Sequence, residues 1–220
     1  MTPWGSKWVV ASAKMHAVTF APDQPKIYPT FREVLDERPS FNLIVVNAPI
    51  GFLDTPDAGP RTCDREARAL LGRRGSGLHN APSRLVLNEG AAVEGARVDA
   101  ITAMLLPRYR EVAEEMSPYR QRVVYEGHPE LSFYQLNGDV PLRRSKKIEA
   151  GRLERRSLLL RKIPGVEKII DADIKAVPKK HLVDAAALLW TARRVFGHAA
   201  IRLPREAEWD SEGIRMELVY

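Results

Sequence analysis

FNLIVVNAPIG, residues 41–51, decides how the chain folds. Its first six residues form a continuous apolar run of strand length, ended by Asn47, Pro49 and Gly51. An unbroken run suits a central strand covered on both faces, since a strand with one wet face would alternate. Upstream, Thr30 can cap a helix over residues 31–37, which stops before Pro39 because a residue preceding proline avoids the helical region. Further back, Trp8 to Ala13 and Met15 to Phe20 are β-rich runs separated only by Lys14, which predicts a hairpin there.

Downstream, residues 52–120 read as a helical insertion. In TCDREARALLGRRGSGLHN, Thr62 or Asp64 starts a helix and Gly72 ends it, with a loose basic loop around Gly75 and Gly77. Residues 98–116 carry apolar positions at helical spacing and one charged face. Then come a second strand-length run, VVYEGHPELSF (123–133), the charged segment RRSKKIEAGRLERR (143–156), a helix over residues 181–196, a turn at 210–213 and the strand-like end IRMELVY. The order predicts one α/β domain over residues 1–220, with a mixed central sheet flanked by helices. The insertion at about 52–120 separates two central strands in sequence and leaves them neighbours in space.

A chain of 220 residues with 45% hydrophobic content can bury a sizeable core. Its 34 Lys and Arg against 28 Asp and Glu leave a net charge of +6, which moderately favours anionic partners. No run approaches the roughly 18 apolar residues of a membrane span, and the start lacks a secretory signal, so a cytoplasmic protein is expected. The single cysteine, Cys63, has no metal-ligand spacing around it and reads as a plain thiol.

The apolar run 123–125 ends abruptly in Glu126, His128, Pro129 and Glu130. If the extended conformation continues, Glu126, His128 and Glu130 share one face. Two readings follow: a metal-dependent hydrolytic site, because carboxylates are ligands for Mg²⁺ and Mn²⁺, or a turn whose polar groups cap a following helix. Asp184 shares a helical face with Leu188, Thr191 and Val195, an apolar stripe on which a carboxylate needs a partner or a metal. The same acid also reads as one stabilised by the helix N-terminus. Asn47, at the end of the central strand, can offer a neutral oxygen or simply form a turn. Residues 143–156 hold seven Lys or Arg and two Glu, so this segment carries most of the net charge; Lys146, Lys147 and Arg152 there, with Arg61, Arg65, Arg73 and Arg74 of the insertion, are the candidate nucleic-acid contacts. A solvated helix face is the commoner explanation of such a run.

Five blocks in order, GSKWVVA, VNAPIGF, RTCDREAR with LGRRGSGLH, YEGHPELSF followed by SKKIEAGR, and VDAAALLWTA, resemble the domain-of-unknown-function 429 family of predicted RNase H-like nucleases. The resemblance implies an RNase H-like fold and a two-metal phosphodiesterase using Mg²⁺ or Mn²⁺. Glu126, Asp184 and Asn47 would then be the metal ligands, His128 and Glu130 would complete or orient the site, and the basic residues would hold nucleic acid. Two positions depart from the family pattern: an expected first-strand Asp falls near Thr2, and Asp-X-Pro-Ile-Gly is replaced by Asn47-Ala48-Pro49-Ile50-Gly51. Two readings therefore stand, a metal-dependent nuclease and a degenerate module that binds nucleic acid or a protein partner without cleavage.

Overall fold

The computed structural model describes residues 1–16 and 19–220. Five strands precede the first helix: β1 (Thr2–Trp4), β2 (Lys7–Val10), β3 (Ala13–His16), β4 (Thr19–Pro22) and β5 (Lys26–Tyr28). Strand β2 pairs antiparallel with β1 on one side and β5 on the other, while β3 and β4 form a separate ribbon. The hairpin expected about Lys14 between the Trp8 and Met15 runs is not formed. The Trp8 run turns back on Thr2–Trp4 instead, through the short link Gly5–Ser6, where Gly5 takes a φ of 55° that glycine adopts without steric cost. Ala17 and Val18 of the second expected run lie outside the described residues.

Helix α1 (Phe31–Leu35) starts where expected, with the Thr30 hydroxyl accepting from the Glu33 N–H. The apolar run supplies β6 (Ile44–Val46), buried at all three positions. The insertion follows as α2 (Thr62–Leu71), a 3-10 turn at Gly72–Gly77, α3 (Arg84–Glu89) and α4 (Ala100–Glu115), the last capped by Asp99. The chain returns to the sheet as β7 (Val124–Glu126) and continues with α5 (Pro129–Leu136), α6 (Glu149–Lys162), α7 (Glu167–Ile170), α8 (Lys179–Phe196), β8 (Arg202–Leu203) and β9 (Leu218–Val219).

Strands β6 and β7 are parallel neighbours, with Ile44 opposite Val124 and Val46 opposite Glu126, as the insertion reading requires. Two further bonds tie β1 alongside β6: the Met1 nitrogen donates to the Val45 carbonyl at 2.6 Å, and the Asn47 N–H donates to the Met1 carbonyl at 3.0 Å. Gly127 bridges Val219 in parallel on the far side. Across the molecule the order is β5, β2, β1, β6, β7, β9.

Alternation along these strands sorts side chains to two faces. Trp8, Val10, Ile44, Val46 and Val124 pack with α1, α3 and α4. Val9 packs with α5 to α8, and Val45 with Leu188 and Val219. Helix α8 lies close against the strands because Ala185, Ala186 and Ala187 are small and fully buried. Gly127 sits under it: a Cβ there would fall 2.6 Å from Val45 Cγ1 and 3.2 Å from Leu188 Cδ2. Gly127→Ala is therefore expected to lower the unfolding free energy by about 1–3 kcal/mol, read from urea denaturation, through overpacking between sheet and helix.

Candidate functional site

At the ends of β6 and β7 the chain buries a cation between two acids. Arg61 is 2% exposed at the start of α2. Its Nε and Nη2 donate to Asp64 at 3.0 and 2.8 Å, and its Nη1 and Nη2 donate to Glu126 at 2.8 and 2.6 Å. Nη1 also donates to the Ile50 and Gly51 carbonyls, at 3.1 and 3.0 Å. The Ile50 N–H completes the shell of Glu126 at 2.6 Å. One guanidinium thus serves two carboxylates and two strand-end carbonyls, a geometry its planar fork of donors permits and an ammonium would not. Burial raises Glu126 to about 7, against the lowering effect of Arg61, which it shares with Asp64. Cys63 beside them is fully buried, and burial pushes its thiol far above the ordinary range.

The extended backbone continues through Gly127 and His128 but turns helical at Pro129, so Glu130 does not share an extended face with Glu126 and His128. His128 is the N-cap of α5, its Nδ1 accepting from the Glu130 N–H at 3.2 Å, and Pro129 takes the first helical position, where its missing N–H has no cost. The capping reading of this motif describes its geometry. Glu130, in the first turn of α5, is held by both oxygens on Arg155 Nη2 at 2.8 and 2.7 Å. Burial holds the His128 imidazole down at about 4, with the Lys146 ammonium acting in the same direction.

Asp184 lies in the second turn of α8, too far along for the helix N-terminus to account for its burial. Its Oδ2 accepts from Lys146 Nζ at 2.8 Å, while Oδ1 is buried with no hydrogen-bond partner among the described residues. On the same side of the sheet, Asn47 Nδ2 donates weakly to the buried Thr2 hydroxyl at 3.4 Å. Register explains the grouping. Glu126 is opposite Val46 and points with it toward α4, whereas Asn47 and Gly127 follow Val45 toward α8.

The structure thus brings Asn47 to Thr2 and Asp184 to Lys146 on one face, and carries Glu126 to the other, where Arg61 occupies it. Among the described residues no group of three or more His, Cys, Asp or Glu side chains is placed to hold a metal ion. A two-ion centre needs carboxylates converging on shared ions, and one partly neutralised aspartate beside two neutral side chains does not fit that demand. The basic candidates divide as well. Arg61 is internal and cannot meet a nucleic acid, because a basic residue in the sequence does not by itself reveal the buried ion pairs it makes with Asp64 and Glu126. Arg65, Arg73, Lys147 and Arg152 are exposed, Arg74 is half-buried, and Lys146 is turned to Asp184. Arg65 donates to the Pro60 carbonyl and Arg152 to the Lys147 carbonyl, so both partly serve the local backbone.

A family model described as a protein of unknown function (DUF429) matches residues 3–208. The chain belongs to the DUF429 family. No curated protein and no solved structure matches it. In this DUF429 chain the blocks that carry the resemblance also carry the buried and half-buried ion pairs: Arg61 and Asp64 in RTCDREAR, Glu126 and Glu130 in YEGHPELSF, and, half-buried, Lys146 in SKKIEAGR with Asp184 in VDAAALLWTA. Asp64 and Arg155 were not among the expected site residues. Their signal in the sequence is a charge inside an otherwise apolar helical stripe, the reasoning that did single out Asp184.

Two outcomes follow from these contacts. Arg61→Met leaves Asp64 and Glu126 buried without their cation and should cost ~3–5 kcal/mol in urea unfolding, partly recovered by adding Glu126→Gln; a surface arginine would give no change. His128 titrates near 6.5 when unfolded and at about 4 in the fold, so the unfolded chain binds the extra proton between those values. The His128 contribution is therefore complete above pH 6.5 and is lost as the pH falls toward 4, by up to ~3 kcal/mol; Glu126, raised to about 7, acts in the opposite sense over much of that range, so the difference between wild type and His128→Asn in pH-dependent urea unfolding, rather than the total slope, should show this loss.

Proposed function

We propose that this chain is an RNase H-like module that binds nucleic acid without two-ion cleavage. The mixed sheet, with helices on both faces and an insertion between neighbouring parallel strands, supports the RNase H-like fold. The observation that carries the functional reading is the separation of the two acids. Glu126 is neutralised by Arg61 on one face of the sheet, and Asp184 by Lys146 on the other. Each carboxylate already has a covalently tethered cation from its own chain, so the charge that would attract Mg²⁺ is largely cancelled. The net charge of +6 and the exposed Arg73, Lys147 and Arg152 favour a polyanionic partner by release of its counterions.

One observation favours the hydrolytic alternative, in which a divalent ion assists phosphodiester hydrolysis: the unpartnered Asp184 Oδ1. A single experiment separates the two. Fluorescence anisotropy with labelled RNA and DNA, across a salt series with Mg²⁺ or chelator, should show affinity falling steeply with salt and indifferent to Mg²⁺. The same substrates incubated with Mn²⁺ should remain intact. Strand cleavage that disappears in Asp184→Asn would overturn the binding-module reading in favour of hydrolysis.

A further inference from the structure

A cavity of about 320 Å³ lies between the end of the insertion and the C-terminal residues. That volume is at the small end of the roughly 300–1,000 Å³ typical of ligand pockets. Its walls are set by a short antiparallel pairing in which Asp210 N–H donates to the Ile214 carbonyl at 2.8 Å and Met216 N–H to the Glu208 carbonyl at 2.9 Å. Trp209 and Arg215 are cross-strand partners there. Alternation then sends Ile214, Met216 and Leu218 into the core, while Arg215 and Glu217 line the cavity. The Gln121 amide clasps Arg215 from the opposite wall, donating to its carbonyl at 2.6 Å and accepting from its N–H at 2.8 Å. The two walls are therefore held together before any ligand arrives.

Three arginines meet three aromatic rings at this place. Arg215 lies 5.7 Å from the Trp209 ring centre, Arg202 5.3 Å from Tyr125 and Arg122 5.4 Å from Tyr119. Glu217, buried beneath, accepts from both Arg202 and Arg215 and orients them. One carboxylate cannot neutralise three guanidinium groups, and among the described residues no carboxylate pairs with Arg122. The neighbouring acids are directed elsewhere: Glu208 accepts from Thr62, and Asp210 and Glu212 pair with Arg84. Trp209 nonetheless remains 56% exposed and Tyr119 76%, so large flat rings stand in water beside uncompensated positive charge.

We propose that this cavity holds one unstacked base of a single-stranded nucleic acid against Trp209, with the flanking phosphates on Arg122 and Arg202. A flat aromatic ring beside guanidinium groups is the combination that single strands reward, because every base has a face to stack and every linkage a charge to neutralise. A double helix presents no free base face to such a pocket. The inference rests on the nucleic-acid reading above but uses none of the basic residues singled out in the sequence.

The test is anisotropy titration of a fluorescein-labelled twelve-nucleotide oligouridylate (~12 nucleotides suits one such platform) with the full chain, its Trp209→Leu and Arg122→Gln variants, and Lys168→Gln with Lys175→Gln, two exposed lysines outside every basic segment named above, as a control. Circular dichroism melts verify that each variant is folded. Trp209→Leu should weaken binding about tenfold, within the range for loss of one stacked base. Arg122→Gln should weaken it less and flatten the salt dependence, and the control should change little. If wild type binds and both cavity variants bind as well as it does, the cavity is overturned while the nucleic-acid reading stands. If wild type does not bind, both fail, and Trp209-dependent binding of labelled poly-glutamate in its place would assign the cavity to an acidic peptide.

Discussion

The guanidinium of Arg61, shut away from water with Asp64 and Glu126, is the constraint on which the centre of this molecule depends. Burying three charges is costly, and the arrangement holds only because every donor of the arginine has an acceptor. Those acceptors come from three separate pieces of chain: the exit of β6, the first turn of α2 and the end of β7. Losing any one of them strands the other charges in a low-dielectric interior. The network therefore works as a specifying joint that fixes where the insertion leaves the sheet and where it comes back, whatever its net contribution to stability. A second joint of the same kind, Glu130 with Arg155, fixes α5 to α6 on the opposite face.

The same economy of charges governs the surface between sheet and α8. Asp184 receives its cation from Lys146, 38 residues earlier, in a segment that approaches the helix closely enough to need glycine at position 151. A Cβ on Gly151 would fall 2.0 Å from the Ser145 carbonyl oxygen. The basic segment is thus drawn down onto α6 at one end and leaves Arg143, Arg144 and Lys147 outward. Part of a charge run that reads as a uniform basic stripe is internal structure, and part is surface.

What the sequence revealed and what it hid follow from the range of the interactions. Thr30 as a cap, the buried 44–46 strand and the helix from Thr62 were legible because caps and periodicity act within a few residues. The backbone is extended through His128 as the sequence implies, but the continuation to Glu130 fails, because proline after histidine is compatible with both an extended strand and the first residue of a helix, and here Pro129 opens α5 with the Glu130 N–H on His128 Nδ1. The face to which Glu126 points could not be read without the β6–β7 register, which is set by partners far away in sequence. Trp209 and the arginines around it lie in three segments that no spacing connects.

The insertion has a consequence for how the chain reaches its fold. The Ile50 N–H and the Glu126 carboxylate that accepts from it are 76 residues apart, so forming the β6–β7 pair closes a long loop. For a flexible chain the logarithmic cost of that closure is ~4 kcal/mol, to be met before any contact across the sheet is gained. Helices that form inside the loop shorten it, because a folded segment with close ends behaves as a short tether. The β6–β7 pair is therefore the contact that gains most from helices already present in the loop it closes.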